Sequence, residues 1–390
     1  MLWALVILWA AALAYHLLAW VCLRRFLGTS GPGGPSGHGL PHVPVPGGAR
    51  GPGVTILKPV KGWDPDTREC LASFLTQEYA PYEVLFGVAD PEDPALPGLR
   101  ELAAAHPGVP VQVLLCPEPQ GLNPKVSILR QLLPRAQYDL LVIADADVRV
   151  GPGFLAAAAA ALSRPGMGLV SCPYRAGRVR TLGATLESLT IAGDFLPSVA
   201  VARCVEGVDF ALGAAMALTR EALTAIGGLA PLADHLADDY QLGHRIRRAG
   251  FRVDLLPYVV ETVAPDMSLR DYFLHQVRWS RTYRVCRPWG YLAYGITHVL
   301  ALALIVWWQS GFALWAGVLA AGTAGLRMAL TRESLRQCLK GDLPPAALAL
   351  VPLKDLLAVG FWASSFLGRT VFWRGRRFRL SADGRLKPLP

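Results

Sequence analysis

The sequence predicts an α/β domain on a mainly parallel, mixed sheet, with membrane helices on either side of it. Three observations carry this. The 390-residue chain is 53% hydrophobic and only 17% charged, which is apolar for a water-soluble protein. Long apolar stretches stand at both ends of it. Between them, short Val/Ile/Leu-rich runs alternate with helical patterns, the signature of parallel strands covered on both faces.

The first apolar stretch is LWALVILWAAALAYHLLAWVCL, Leu2 to Leu23, with no charged group apart from His16. It is long enough to cross ~30 Å of hydrocarbon as a helix. No basic segment precedes it, no small-x-small cleavage site follows, and Arg24-Arg25 comes next. An uncleaved anchor is therefore expected rather than a signal peptide, with the arginines on the cytoplasmic side. Tyr291–Trp308 and Phe312–Leu330 follow as further spans around a Gln309-Ser310-Gly311 turn, and Pro345–Leu367 is a third, interrupted by Lys354-Asp355. Three full C-terminal crossings would put the Arg-rich tail outside, against the positive-inside tendency. The third stretch is accordingly expected to be re-entrant or interfacial.

The expected organisation is an anchor at 1–27, a Gly/Pro-rich linker at 28–53, a catalytic domain at 54–288, transmembrane or interfacial helices at 289–368 and a basic cytosolic tail at 369–390. The net charge of +9 is concentrated beside the apolar segments, as suits an anionic membrane leaflet rather than nucleic acid. Seven scattered cysteines without a C-x-x-C read as reduced thiols.

Within the domain, VTILKPV reads as a strand, Arg68–Leu75 as a helix, and EVLFGVAD as a strand ending at Asp90. A helix near Leu99–Ala105, the strand VQVLL, a helix over Lys125–Leu133 and the strand LLVIADADV follow. Asp90 and Asp145 both fall at carboxyl ends of strands, where ligands of such sheets collect. No G-x-G-x-x-G opens a helix and no P-loop is present.

Three constellations can carry chemistry. Asp145 and Asp147, at i and i+2 of an extended segment, lie on one face and can converge on one divalent cation; a plain strand-ending turn is the other reading. The spacing after Asp145 does not fit an EF-hand loop. Asp238-Asp239 opens a predicted helix, either as favourable charge at its positive end or as a general base for an acceptor hydroxyl. In HQVRWSRTYR, Arg278, Arg281 and Arg284 recur at helical spacing and suit phosphate, and Trp279 offers a face to a sugar or to the membrane interface.

LKPVKG, the aspartate of FGVADPEDP, NPKVSIL, IADADVRV, ADDY and an R-W pair before C-terminal spans occur in that order. This set resembles the ceramide glucosyltransferase family of membrane-bound, GT-A-type enzymes, from about Val54 to Pro288, with a weaker echo in the tail WRGRRFRL. The resemblance implies a Rossmann-like GT-A domain, a UDP-sugar donor, a membrane-lipid acceptor and a divalent cation, Mg2+ or Mn2+. By it, Asp90 stands near the nucleotide and Asp145 holds the diphosphate with the metal, while the i, i+2 spacing adds Asp147 as a second candidate metal ligand. Asp239 is the general base, and Arg278 and Trp279 lie near diphosphate and acceptor. Lys58, Lys125, Asp238, His275 and Arg281 complete the substrate-binding set.

Two departures are visible. His275 stands where ceramide enzymes carry Arg or Gln, and Asp147 is an added carboxylate. With FLPSVAVA and RWSRTYR, both look more like the bacterial hopanoid-biosynthesis branch, expected to transfer N-acetylglucosamine to bacteriohopanetetrol at the cytosolic face of the inner membrane. The alternatives are glucosylation of ceramide from UDP-glucose and a processive polysaccharide synthase.

Overall fold

The computed structural model describes residues 1–28, 49–263, 266–339 and 343–389, so that most of the expected linker lies outside the described residues. The chain forms two compact units that interleave in sequence: Thr29–Arg175 with Gly207–Val263, and Met1–Gly28 with Ala176–Glu206 and Ala264–Pro390. Residues 176–206 and 264–288, expected inside one continuous domain, thus belong to the unit that carries the apolar helices.

The first unit is built on strands β1 (Ala49–Pro59), β2 (Tyr79–Val88), β3 (Val111–Leu115), β4 (Leu140–Ala144), β6 (Met167–Ser171), β8 (Ala215–Thr219) and β9 (Arg252–Leu255). They lie in the order β3-β2-β1-β4-β8-β6-β9. All pairings are parallel except those of β8, which runs antiparallel to β4 and β6. Ile56, Leu57, Val84, Leu85, Phe86, Leu141 and Val142 are buried, as expected for strands covered on both faces. Helices α2 (Pro65–Ala72), α3 (Ala95–Ala104), α4 (Pro124–Leu132), α5 (Phe154–Leu162), α8 (Arg220–Ala225) and α9 (Asp238–Arg248) connect or flank them. A small sheet, β5 (Val148–Arg149), β10 (Val260–Val263) and β7 (Tyr174–Gly177), pairs in the order β5-β10-β7.

Two local readings are corrected. β1 begins at Ala49, inside the expected linker, pairing Ala49 with Tyr79 and Arg50 with Ala80. Its glycines permit close approach: a Cβ on Gly51 would lie 2.4 Å from the Tyr79 hydroxyl, and one on Gly53 2.1 Å from the Tyr138 ring. LLVIADADV is not one strand. β4 ends at Ala144, residues 145–147 make a turn closed by the Val148 amide on the Asp145 carbonyl (3.2 Å), and β5 belongs to the small sheet.

The second unit holds α1 (Leu2–Gly28), α6 (Leu182–Thr190), α7 (Leu196–Val205), α10 (Leu269–Cys286), α11 (Pro288–Tyr294), α12 (Val299–Gln309), α13 (Leu314–Glu333) and α14 (Val351–Ser365). It ends in a three-stranded antiparallel sheet, β11 (Thr370–Trp373), β12 (Arg376–Leu380) and β13 (Leu386–Pro388). Among the described residues, four helices are long and apolar enough to cross a membrane: Leu2–Gly28, Leu182–Val205, Leu314–Arg336 and Pro345–Ser365. The expected span Tyr291–Trp308 is instead bent by 53° between residues 297 and 299. The Thr297 carbonyl there accepts a hydrogen bond from His16 Nε2 (2.8 Å), and Gly295 lets the Trp362 ring pack where a Cβ would come within 2.4 Å.

Leu182–Val205 does not stand out in the sequence. It joins α6 to α7 through a π-turn over Ile191–Phe195. β4 precedes this helix and β8 follows it, yet the two strands pair, so the helix cannot be a single crossing between two sides. α1 and α13 run in the same direction and are joined by two side-chain hydrogen bonds. Trp9 Nε1 donates to Thr323 Oγ1 (3.1 Å), and Arg327 Nη1 donates to His16 Nδ1 (3.0 Å). From Trp3 to Arg24 and from Trp315 to Arg336 each helix rises ~32 Å, the thickness of the hydrocarbon core.

Inside this unit Arg327 forks onto Asp355 (Nε–Oδ2 2.8 Å, Nη2–Oδ1 3.0 Å) and reaches Asp194 Oδ1 at 2.6 Å. Lys354 pairs with the same two carboxylates. Two cations and two anions therefore balance, which is how charges survive among apolar helices. Lys354-Asp355, the interruption noted in the sequence, is half of this internal network.

Candidate active site

The carboxyl ends of β1, β2 and β4 set the first group of residues. Asp90 is exposed just beyond β2, its Oδ1 accepting the Glu92 amide (2.9 Å). β1 separates β2 from β4 and pairs in parallel with both, so Asp90 and Asp145 both lie beyond the same edge of the sheet. The turn that carries Asp145 and Asp147 is clamped by backbone bonds. Asp145 N donates to the Ala214 carbonyl (3.1 Å), and Val263 N donates to the Asp147 carbonyl (2.8 Å).

Lys58 is the third clamp, and its place corrects the expectation that it binds substrate. The side chain is fully buried, with Nζ 3.8 Å from the centroid of the Phe74 ring and donating to the Asp145 carbonyl at 2.6 Å. Burial lowers its pKa to about 7 despite nearby Asp145 and Asp147. Lys58 positions the aspartate turn from beneath.

Lys125, one residue into α4, joins the Asp145 turn to the Asp238-Asp239 pair. Its Nζ lies 2.6 Å from Asp145 Oδ1 and 3.7 Å from Asp238 Oδ2. Burial alone would lower its pKa, but the charges of Asp145, Asp238 and Asp239 outweigh that and raise it. Asn123 holds the same junction. Its Oδ1 caps α4 by accepting from the Lys125 and Val126 amides, while its Nδ2 donates to the His235 carbonyl (2.9 Å) and Asp238 Oδ1 (3.2 Å).

Asp238 and Asp239 occupy the first turn of α9, whose N-cap is Ala237. Neither aspartate is the N-cap residue, and both carboxylates lie at the positive end of the helix. Asp239 Oδ1 accepts its neighbour's amide, from Tyr240 (2.8 Å). Its pKa rises to about 6, first through burial and then through the charge of Asp238. Gly213 makes room for it, since a Cβ there would lie 2.7 Å from Asp239 Oδ2. The Asp147 carboxyl is likewise pushed up to about 6, by surrounding protein and then by Asp145, even though its own surface is open to water.

The donor set suits a hard divalent cation. Two carboxylates flank one turn, and Asp145 raises the cost of ionising Asp147, a repulsion that bound positive charge relieves. Among the described residues no group of three or more His, Cys, Asp or Glu is placed to hold a metal, so such an ion would complete its shell with water and substrate oxygens.

The remaining candidates lie on α10, in the second unit. The Trp279 ring is 4.5 Å from His275, 5.3 Å from Phe195 and 5.9 Å from Tyr283, centroid to centroid. His275 Nδ1 is 2.9 Å from Glu187 Oε1, while Gln276 Nε2 donates to Glu187 Oε2 at 2.7 Å. Arg278 stands on the same helix, its carbonyl accepting from Thr282 Oγ1 (2.8 Å). Arg281, expected to face phosphate, turns instead to the C-terminal sheet and donates to the Thr370 carbonyl.

Sequence reasoning missed Asn123, Gly213 and Glu187. The N-P-K pattern is a legible helix start, but its contact with Asp238 spans 115 residues. Nothing local marks Gly213 or Glu187.

The model of the family described as glycosyl transferase family 21 matches residues 4–386. The chain belongs to that family. It is 25% identical over 353 residues to ceramide glucosyltransferase 1 of Caenorhabditis elegans, covering 86% of this chain and 73% of that protein. It is 37% identical over 108 residues to the ceramide glucosyltransferase of Candida albicans, covering 25% of this chain and 20% of that one. A solved mannosyltransferase from Pyrobaculum calidifontis, in complex with GDP-Man and Mn2+, superimposes with a TM-score of 0.52 at 22% identity, over 94% of this chain and 98% of that one. The sheet is thus that of a GT-A-like glycosyltransferase, and the chain is a glycosyltransferase.

Proposed function

We propose that this member of glycosyl transferase family 21 moves one sugar from a UDP-sugar to a hydroxyl of a membrane lipid, with inversion at the anomeric carbon. The observation that carries the reading is the Lys125 junction, which brings Asp145 of the diphosphate motif and Asp238 of the base motif to one ammonium group. In this reading Asp90 stands by the nucleotide, Lys125 offsets negative charge near the diphosphate, and Asp239 takes the proton of the acceptor hydroxyl. A base with a pKa of about 6 is ionised at neutral pH and still basic enough to help the attacking oxygen. Arg278, Trp279 and His275 serve the acceptor and leaving group from α10. No second carboxylate acts as nucleophile, since one displacement suffices.

Asp145 and Asp147 are the residues that would hold a divalent cation, Mg2+ or Mn2+, which supplies positive charge to the departing diphosphate. The donor we favour is UDP-N-acetylglucosamine and the acceptor bacteriohopanetetrol, on the resemblance carried by His275, Asp147 and the residues around them. UDP-glucose with ceramide is the second reading, favoured by the curated relatives' names. Paired assays with each donor and acceptor decide: the first reading fails if only ceramide is glycosylated.

The membrane arrangement we propose places the catalytic unit and the C-terminal sheet in the bacterial cytosol. α1 brings the chain inward, the bent α11–α12 segment and α13 form a hairpin, and α13 returns in parallel with α1. α14 then need not cross. The sheet after it is hydrogen-bonded to α10, and α10 follows the catalytic unit without an intervening apolar stretch. Thiol labelling of a cysteine placed at Ala382, in the turn between β12 and β13, tests this, and labelling only from the periplasm overturns it.

A further inference from the structure

The C-terminal residues expected as a basic tail form a sheet with two unlike faces. Val371, Phe378, Leu380 and Leu386 are buried on one side. Side chains alternate along a strand, and residues paired across an antiparallel ladder share a face. The register pairs Phe372 with Arg377, Thr370 with Arg379, and Arg379 with Lys387. The other face therefore presents Arg377, Arg379 and Lys387 together beside Phe372, which is 44% exposed. Among the described residues no carboxylate lies within ion-pair distance of these three cations.

Directly opposed like charges weaken a ladder. A merely solvated face has no reason to set Arg379 against Lys387, whereas a shared anion turns the repulsion into a bidentate grip. Position names the anion. β11 begins five residues after the apolar segment Pro345–Ser365 ends, within ~17 Å of chain. Phe366 and Leu367, between them, expose 41% and 88% of their surface. We propose that this face is a docking surface for the phosphates of anionic membrane lipids. Phe372 enters the interface, and Arg377, Arg379 and Lys387 take the headgroups.

The sheet also touches the motif helix. Arg281 donates to the Thr370 carbonyl and Arg284 Nη2 to the Gly368 carbonyl (2.8 Å), so a lipid held on the face steadies the end of α10.

The test titrates short-chain phosphatidylglycerol into the full-length protein in neutral detergent and follows its thermal unfolding. Phosphatidylcholine of the same chain length and glycerol phosphate are the comparison ligands. The expected result is stabilisation by phosphatidylglycerol alone, weakening as salt is added. Loss of affinity should be about fivefold per basic side chain removed, and on the order of 100-fold for R377Q/R379Q/K387Q. The single variant R379Q, with an expected loss of about fivefold, stands in if the triple variant does not fold, and the conservative R377K/R379K, which keeps the charge, should bind within a few-fold of wild type. Equal stabilisation by phosphatidylcholine overturns the proposal, as does an unchanged response in the triple variant or salt-independence of wild type. Equal stabilisation by glycerol phosphate overturns it too, because the face would then be a site for a soluble phosphate.

Discussion

Replacing Asp239 by Asn separates catalysis from stability. The carboxyl is half-buried and has its pKa raised from 3.8 to about 6, by burial first and by Asp238 second. Ionising it in the folded protein therefore costs up to about 3 kcal/mol, at ~1.36 kcal/mol per pKa unit. Partial exposure screens that to about 1–2 kcal/mol. A carboxyl whose folded pKa lies above its unfolded one destabilises the fold only when ionised. The penalty is complete above about pH 6 and absent below the unfolded value near 3.8. Asp239→Asn should thus raise the melting temperature by roughly 3–6 °C at pH 8, and the gain should shrink towards pH 4. The same variant should lose 10²–10⁴-fold in turnover, the usual worth of a general base, while wild-type kcat/KM falls as pH drops through about 6. Thermal unfolding at the two pH values, with UDP release at pH 8, makes the check. A lower melting temperature at pH 8, or turnover like that of wild type, would refute the assignment of Asp239 as a strained base.

Other expectations follow from the same geometry. Gly213→Ala puts a Cβ 2.7 Å from Asp239 Oδ2 and should cut turnover at least tenfold, as measured by UDP release, with secondary structure unchanged by circular dichroism. Asn123→Ala removes the α4 cap and a partner of Asp238. It should cost about 1–2 kcal/mol in denaturant unfolding, and an unaltered midpoint would contradict the account of that junction. Asp145→Asn and Asp147→Asn should each raise the Mn2+ concentration for half-maximal activity by tenfold or more, and a cation requirement unmoved in both would remove the metal assignment.

Much of the catalytic sheet was legible because buried parallel strands advertise themselves as apolar runs. VTILKPV, EVLFGVAD, VQVLL and LLVIA all became strands. The errors lie where local pattern is silent. ADADV continues the β periodicity, yet the chain turns at residues 145–147 because Lys58, Ala214 and Val263 hold that backbone from distant parts of the sequence. LKPVKG offered a lysine without saying that Phe74 and the Asp145 carbonyl would enclose it. Residues 182–205 escape a reading by hydropathy because Glu187, Asp194 and the surrounding small residues dilute it. Their charged side chains meet partners on α10, α13 and α14, more than 80 residues away. Single motifs identified residue types, whereas the joining of Asp145 to Asp238 through Lys125 required the fold.

The most direct test of the central claim is mass spectrometry of the lipid product. Purified full-length protein is incubated with a UDP-sugar and a hydroxylated lipid, with Mn2+ or with chelator. One sugar added per lipid, with inverted anomeric configuration, is expected only when UDP-sugar, lipid and divalent cation are all present. Long glycan chains, retained configuration or equal product under chelation would contradict that claim.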